Sequence, residues 1–392
     1  MKDVVILGYA RTPYGAFQGA LSSLSATRLG AAAIQSALER SGVQADQVDE
    51  VIMGNVLTCG VGQAPCRQAA IYAGIPESVP CLTINKVCGS GMKSLMLATQ
   101  SILLGDSDIV IAGGMENMSQ APHFLPNSRT GMRLGNQQIL DSMVHDGLWD
   151  PYNQQHMGNC AELCSREHSI SREEQDAFTK SSYERAQKAQ KDSKFSKEIC
   201  KVEVPGRKAS VIVEEDEGPS QVDFERLSSL RPVFEKDGTV TAANASTIND
   251  GAGVLILASS EKAAELGIKP LAKLVSYASH AQTPQQFTTA PIEAIKKAIA
   301  KANWSIDGVD LFEINEAFAV VSLACQKGLG IPDDKLNIWG GAVSIGHPIG
   351  ASGSRIVMTL ISQLEDQNKS KGVAGICIGG GEATAVCIEK YS

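Results

Sequence analysis

Three glycine-rich turns in this chain each carry a side chain suited to acyl chemistry. Cys88 stands in Asn85-Lys86-Val87-Cys88-Gly89-Ser90-Gly91. His347 stands in Gly346-His347-Pro348-Ile349-Gly350-Ala351-Ser352-Gly353, and Cys377 in Gly375-Ile376-Cys377-Ile378-Gly379-Gly380-Gly381. A thiol beside an imidazole is an activated nucleophile once the ring takes its proton. A second thiol, titrating at about 8.5 when unperturbed, is available for acid–base work. Cys88 lies where the apolar run 82–87 meets a Gly-Ser-Gly turn ahead of an apolar helix over 92–104. The dipole and free N–H groups of that helix end favour a thiolate and offer donors to a thioester oxyanion. His347 precedes Pro348 and is biased to extended backbone. Asn315 and Glu316 follow the strand 310–314, at the strand end where α/β folds place ligands. Asn315 can hold a water as an oxyanion donor, while Glu316 is alternatively the cap of the next helix. Cys387, in an apolar strand without such a turn, reads as core.

The elements that carry these turns repeat. Ala33-Ile34 through Val48-Asp49-Glu50-Val51-Ile52 matches Ala294-Ile295 through Val309-Asp310-Leu311-Phe312-Glu313 at a constant offset of 261. Each copy reads as an amphipathic helix, a turn and a buried strand. Cys88–Lys93 aligns with Gly350–Arg355 at an offset of 262, and Ile109–Gly114 with Ile376–Gly381 at 267, which sets Cys377 opposite Val110. Two homologous α/β halves follow, one built from 1–118 with 246–270 and the other from 271–392. The segment 119–245, rich in Gln, Ser, Lys and Glu, reads as a loop domain inserted in the first half. Ser171 and Glu174 form a capping-box signature within it.

Composition narrows the class. The 392 residues are 43% hydrophobic and 20% charged, as in globular proteins generally, with a net charge of −8 that argues against nucleic acid as a partner. No apolar run approaches the roughly 20 residues of a membrane helix. The N-terminal run 1–8 is too short for a signal peptide and reads as a first strand. The ten cysteines form no Cys-x-x-Cys and no zinc spacing, so free thiols, a cytoplasmic location and no metal are expected.

At these residues the chain resembles the thiolase family along its whole length. The motifs Asn-x-x-Cys-Gly-Ser-Gly (85–91), Ala112–Ser119, Asn244–Gly251, Asn-Glu-Ala-Phe (315–318), Gly-His-Pro-x-Gly-Ala-Ser-Gly (346–353) and Cys-x-Gly-Gly-Gly (377–381) occur in family order. The resemblance implies a five-layered α/β/α/β/α fold of two duplicated halves, with the loop domain binding coenzyme A. It implies a ping-pong Claisen condensation of two acetyl-CoA to acetoacetyl-CoA and coenzyme A, reversible as thiolysis and without a cofactor. By the same resemblance Cys88 becomes acetylated, His347 activates it, Cys377 takes the α-proton and Asn315 holds an oxyanion water. The Cys88 and Gly379 N–H groups form the other oxyanion hole. His156-Met157-Gly158 resembles the short-chain type rather than the longer-chain 3-ketoacyl-CoA thiolases of β-oxidation. Leu148, Phe234, Ala242, Ser246 and Phe318 match positions along the pantetheine channel, and Phe287 stands where relatives often have Met. Gly218-Pro219-Ser220 lacks the basic residue many relatives place near the nucleotide, and Glu382-Ala383-Thr384 replaces Met-Gly-x. Arg129 and Arg133 resemble a basic tetramerisation loop, implying a homotetramer. A ketosynthase-like condensing enzyme would carry a second histidine where Cys377 stands, and an acyl-CoA-binding relative without activity would lack Cys88.

Overall fold

The structure is a computed structural model that describes residues 3–391; Met1, Lys2 and Ser392, which the expected first and last segments include, lie outside the described residues. The first half runs β1 (Val4–Arg11), α1 (Ala26–Ser41), β2 (Glu50–Gly54), α2 (Pro65–Tyr72), β3 (Cys81–Ile84), α3 (Ser90–Leu104) and β4 (Ile109–Asn117). An insertion follows with α4 (Met157–Glu167) and α5 (Arg172–Lys191), and β5 (Asn249–Ser259) returns beside β4. The second half runs β6 (Ala272–Ala281), α6 (Ala290–Lys301), β7 (Leu311–Ile314), α7 (Ala319–Leu329), α8 (Ser352–Asp366), β8 (Lys371–Ile378) and β9 (Glu382–Lys390).

Strand order across the sheet is β7-β8-β9-β6-β1-β5-β4-β2-β3, with Gly15–Ala16 pairing on β5. The two halves meet where β1 and β6 pair at only two residues, Val5 with Lys273 and Ile6 with Ala272. Both faces of each half-sheet are covered, which is why the strands read as near-continuous apolar runs. On β4, Ile109 and Ile111 face α1 and α2, while Val110 and Ala112 face the middle of the molecule. There α3 and α8 pack on each other and on both sheets, through Met92, Leu95, Ile356 and Leu360. On the far side α6 and α7 cover the second sheet through Ile295, Ala298 and Val320. The layers run helix, sheet, helix, sheet, helix.

The structure corrects one register of the repeat. Asp49 Oδ2 accepts from the N–H groups of Asp108 and Ile109 at 2.8 Å, and Asp310 Oδ2 accepts from Ser370 and Lys371 at 3.0 and 2.8 Å. Glu50 pairs with Val110 as Leu311 pairs with Gly372. The offset is therefore 262 at β4 and β8, not 267, and Cys377 corresponds to Met115 rather than to Val110. Aligning Ile109–Gly114 on Ile376–Gly381 matched glycines by composition; hydrogen bonding keeps the register nearly constant. What separates the halves is the connection after this strand. In the first half β4 leads into the insertion, and in the second β8 turns directly through Gly379–Gly381 into β9.

The insertion leaves and re-enters the first half, yet its helices pack on the second. Met157, Cys160, Cys164 and Phe178 share a core with α6 and α7. The Ser171 capping box forms, its Oγ accepting from Glu174 N–H at 3.2 Å and Glu174 Oε2 from Ser171 N–H at 2.7 Å. Glu316 does not cap α7. It is buried and accepts from Ser182 Oγ at 2.7 Å, Asn337 Nδ2 at 2.9 Å and Val343 N–H at 3.1 Å, tying α5 to the segment ahead of His347. Among the described residues, no helix is long and apolar enough to cross a membrane.

Candidate active site

A cavity of about 300 Å³ lies between the two halves and the insertion, with an almost wholly apolar lining. Cys88, His347 and Gly379 reach its wall, from a first-half turn, a second-half turn and the end of β8. Leu148, His156, Met157 and Phe234 of the insertion line it, as do Ser246, Phe287 and Phe318. Three of the sequence-predicted residues are not on the wall. Cys377 and Asn315 are fully buried, Cys377 in one core with Met157, Phe287, Ala317 and Phe318. Ala242 is exposed outside the cavity, in the tight turn closed by Ala245 N–H on Thr241 O. Met118, Gly147, Val233, Ile248 and Ile349 also line it and went unnoticed in the sequence. Their proximity to the motifs was the one available signal.

The turn carrying Cys88 is wound tightly. Asn85 Oδ1 accepts from Val87 N–H at 2.9 Å, and Ser90 Oγ accepts from Lys86 N–H at 2.8 Å while donating to Val87 O at 2.7 Å. These bonds hold Val87 at φ 48°, a left-handed conformation that costs a β-branched residue energy. Gly89, the N-cap of α3, has no room for a side chain, since a Cβ there would stand 2.4 Å from Ile378 Cδ1 of the second half. The glycine is thus a point where the two halves touch beside Cys88.

Burial overrides the helix end. Cys88 sits two residues ahead of α3, and the protein around its sulfur pushes the thiol up to about 11, with the charge of Glu116 acting the same way. The N–H groups of Gly379 and of Cys88 itself face the sulfur and oppose this shift without reversing it. The helix end favours the anion, but the free energy of desolvating it exceeds what two N–H groups return.

His347 is held by its N–H on Asn249 Oδ1 at 3.1 Å. Its Nδ1 lies 2.6 Å from Ser352 Oγ, and that hydroxyl also contacts the Pro348 carbonyl at 3.0 Å. The Pro348 carbonyl also accepts from the Ala351 and Ser352 N–H groups, and the hydroxyl has one proton to give, to Pro348 or to Nδ1. With it on Pro348, Nδ1–H donates to Oγ and Nε2 is the bare nitrogen, the arrangement a base at this position needs; Nε2 is buried without a protein partner. Burial, reinforced by the positive charge of Arg355, pushes the ring down to about 3. The resting pair is a neutral thiol and a neutral imidazole whose free lone pair is Nε2.

Cys377 is raised well above the ordinary thiol range by burial first and then by the Cys88 sulfur. A deeply buried thiol of this kind is, once deprotonated, a strong base. Asn315 donates its N–H to Gly375 O at 3.0 Å, yet neither side-chain Oδ1 nor Nδ2 has a protein partner. Such an amide is placed to hold a water. His156, the N-cap of α4, accepts from Gly158 N–H at 3.1 Å through Nδ1, so its proton is on Nε2; burial holds its pKa low. The ring stacks on Phe234 with centroids 4.8 Å apart. Glu116, next to the site, has a structural role that its sequence neighbourhood does not announce. Buried and raised to about 7 by desolvation, it accepts from Gly350 N–H at 2.9 Å, Val56 N–H at 3.0 Å and Leu57 N–H at 3.1 Å. It thereby fastens the His347 turn to the first half.

The comparisons agree along the whole chain. The description "Thiolase, N-terminal domain" matches residues 4–261 and "Thiolase, C-terminal domain" residues 268–390. Acetyl-CoA acetyltransferase 1 of Arabidopsis thaliana is 54% identical, covering 100% of this chain and 95% of its own length. An acetyl-CoA acetyltransferase of Cupriavidus necator is 50% identical over 100% of both chains. The crystal structure of a thiolase from Ascaris suum in complex with coenzyme A has a TM-score of 0.95 at 44% identity, covering 100% of both chains. That of the Bacillus anthracis acetyl-CoA acetyltransferase has 0.98 at 40%, covering 100% of this chain and 99% of its own.

If Ser352 fixes the tautomer, Ser352→Ala releases Nδ1–H and allows the proton to move to Nε2. Alkylation of Cys88 by iodoacetamide at neutral pH should then slow by about tenfold or more, within the range that general-base help supplies. An unchanged rate would show that Ser352 plays no part in aiming the base.

Proposed function

The chain belongs to the thiolase family, and on that premise we propose that it is an acetyl-CoA C-acetyltransferase, joining two acetyl-CoA into acetoacetyl-CoA and coenzyme A. The observation that carries this reading is the convergence of Cys88, His347 and Gly379 on one small apolar cavity with Cys377 buried beside it. Relatives named acetyl-CoA acetyltransferase at 50–54% identity over the full chain support it. The aromatic wall of Phe287, Phe234 and Phe318 suits a short acyl group.

The proton inventory closes without a cofactor. The Cys88 sulfur attacks the thioester carbonyl as its proton passes to His347 Nε2, and the Gly379 and Cys88 N–H groups meet the oxyanion. The departing coenzyme A sulfur takes the Cys377 proton and leaves as thiol. Acetyl-Cys88, imidazolium and the Cys377 thiolate remain, with no net charge added to the apolar cavity. The Cys377 thiolate then removes the α-proton of the second acetyl-CoA, while His347 Nε2–H and a water on Asn315 stabilise the enolate oxygen. The carbanion attacks acetyl-Cys88, and the Cys88 sulfur recovers its proton from His347. A thiol pushed far up by burial is the stronger base for this carbon acid.

We further propose that the insertion binds the pantetheine arm past Leu148, His156, Met157, Phe234 and Ser246, with Ala242 outside the cavity toward the nucleotide. The ten free cysteines fit a reducing compartment, the cytoplasm. Strand β3 ends the sheet with an open edge, and Leu82, Leu103 and Leu104 beside it are exposed, which supports a dimer through this edge. The loop around Arg129 and Arg133 exposes Met132, Leu134 and Ile139, which supports a dimer of dimers. Removing residues 127–137 should leave a dimer in sedimentation velocity; an unchanged tetramer would exclude this loop as the contact.

The function is tested by mass spectrometry after mixing with acetyl-CoA. The protein should carry one acetyl group on Cys88, and Cys88→Ala none. Cys377→Ala should still acetylate, slowly, while forming no acetoacetyl-CoA. Full condensation by that variant would refute the base assignment, and an unacetylated protein would refute the activity.

A further inference from the structure

We infer that Lys86 and Glu382 form a positioning pair that latches the Cys88 turn of one half to the Gly379–Gly381 turn of the other; the inference rests on the acetyltransferase reading. The two residues are 296 positions apart, and the Lys86 ammonium is ion-paired with Glu382 Oε2. Lys86 is part of the nucleophile turn. Its N–H donates to Ser90 Oγ, and its carbonyl accepts from Gly89 N–H at 3.1 Å. Glu382 is the first residue after the triple glycine and opens β9.

The latch matters because of what it spans. Gly379 supplies the N–H that faces the Cys88 sulfur. The two residues after it, Gly380 at φ 92° and Gly381 at φ 88°, have left-handed backbone and no side chains to pack. On its far side the turn is tied by Gln282 N–H to Gly381 O at 2.8 Å. Toward Cys88 it is fastened by the packing of Ile378 and Thr384 on Gly89, by Val87 beside Gly379 and by this ion pair. A half-exposed pair is a weak fastener for a whole fold, its side chains being 29% and 34% exposed. It is enough for a glycine turn, where a displacement of about 1 Å is felt strongly in rate. The groups that shift the Cys88 thiol are its burial, the two N–H groups and Glu116, so the proposed action of the pair is through position. This also accounts for Glu382, which the sequence alone left without a role.

Lys93, one turn into α3, lies within the field of both partners. Glu382→Gln, which removes the negative charge that both lysines face, is therefore the sharper variant, with Lys86→Met, the double variant and the charge swap Lys86→Glu/Glu382→Lys beside it. Single-turnover acetylation and steady-state condensation are measured for each. Glu382→Gln should lose about tenfold in acetylation rate and in kcat, with KM for acetyl-CoA within about twofold and the unfolding midpoint unchanged. The double variant should be no slower than Glu382→Gln, and the charge swap should recover most of the loss. A Glu382→Gln rate within about twofold of wild type, losses that multiply in the double variant, or a swap as slow as Glu382→Gln would overturn the latch. A wild-type protein that fails to turn over acetyl-CoA would overturn the activity as well, so the two failures are told apart by the unmutated chain.

Discussion

The constraint on which the site depends is the cost of placing charge in an apolar cavity without a counter-ion. Cys88 is pushed up to about 11 and His347 down to about 3, while Cys377 rises beyond the ordinary thiol range, each chiefly by burial. At neutral pH all three are uncharged. Activation is then a proton transfer at the moment of attack, not the storage of a thiolate. The same cost explains why, in the proposed mechanism, charges arise in compensating pairs: the imidazolium is balanced first by the oxyanion and then by the Cys377 thiolate.

The rest of the molecule reads as the means of meeting that constraint. A neutral imidazole serves as base only through the correct nitrogen, and the bonds from Nδ1 to Ser352 and from Ser352 to Pro348 supply this. Cys88 and Gly379, the proposed nucleophile and oxyanion donor, come from different halves, so the turns bearing them must touch, which is why Gly89 has no room for a Cβ beside Ile378. Two duplicated sheets joined at two residue pairs would hinge on their own. The packing of α3 on α8, the Glu116 bridge to Gly350 and the insertion lying across the second half hold them in one arrangement.

Much of this was legible in the sequence where local backbone demands particular residues. The three glycine turns, the strand–turn–helix around Cys88 and the Ser171 cap follow from short-range rules, and the duplication from its constant offset of 261–262. The register at β8 was misread because glycines were matched to glycines. The bonds from Asp49 and Asp310 to the starts of β4 and β8 carry the true correspondence, and they are visible only in three dimensions. The resting charge of Cys88 was not legible, because a helix end is local while burial is not. Glu116 and the Lys86–Glu382 pair join residues far apart in sequence, and nothing in either neighbourhood announces its partner.

The central claim is that a neutral thiol and a neutral imidazole, both set by burial, perform the first chemical step. It is tested most directly by the pH dependence of the second-order rate of Cys88 acetylation, followed as the burst of coenzyme A released. With His347 neutral above about 3 and Cys88 neutral below about 11, the rate should be level from about pH 5 to 9. A rise of unit slope through about pH 6 to 8.5 that persists in Glu116→Gln, which removes the carboxyl raised to about 7, would contradict the account, because it would mean that a preformed thiolate or a titrating imidazole governs attack.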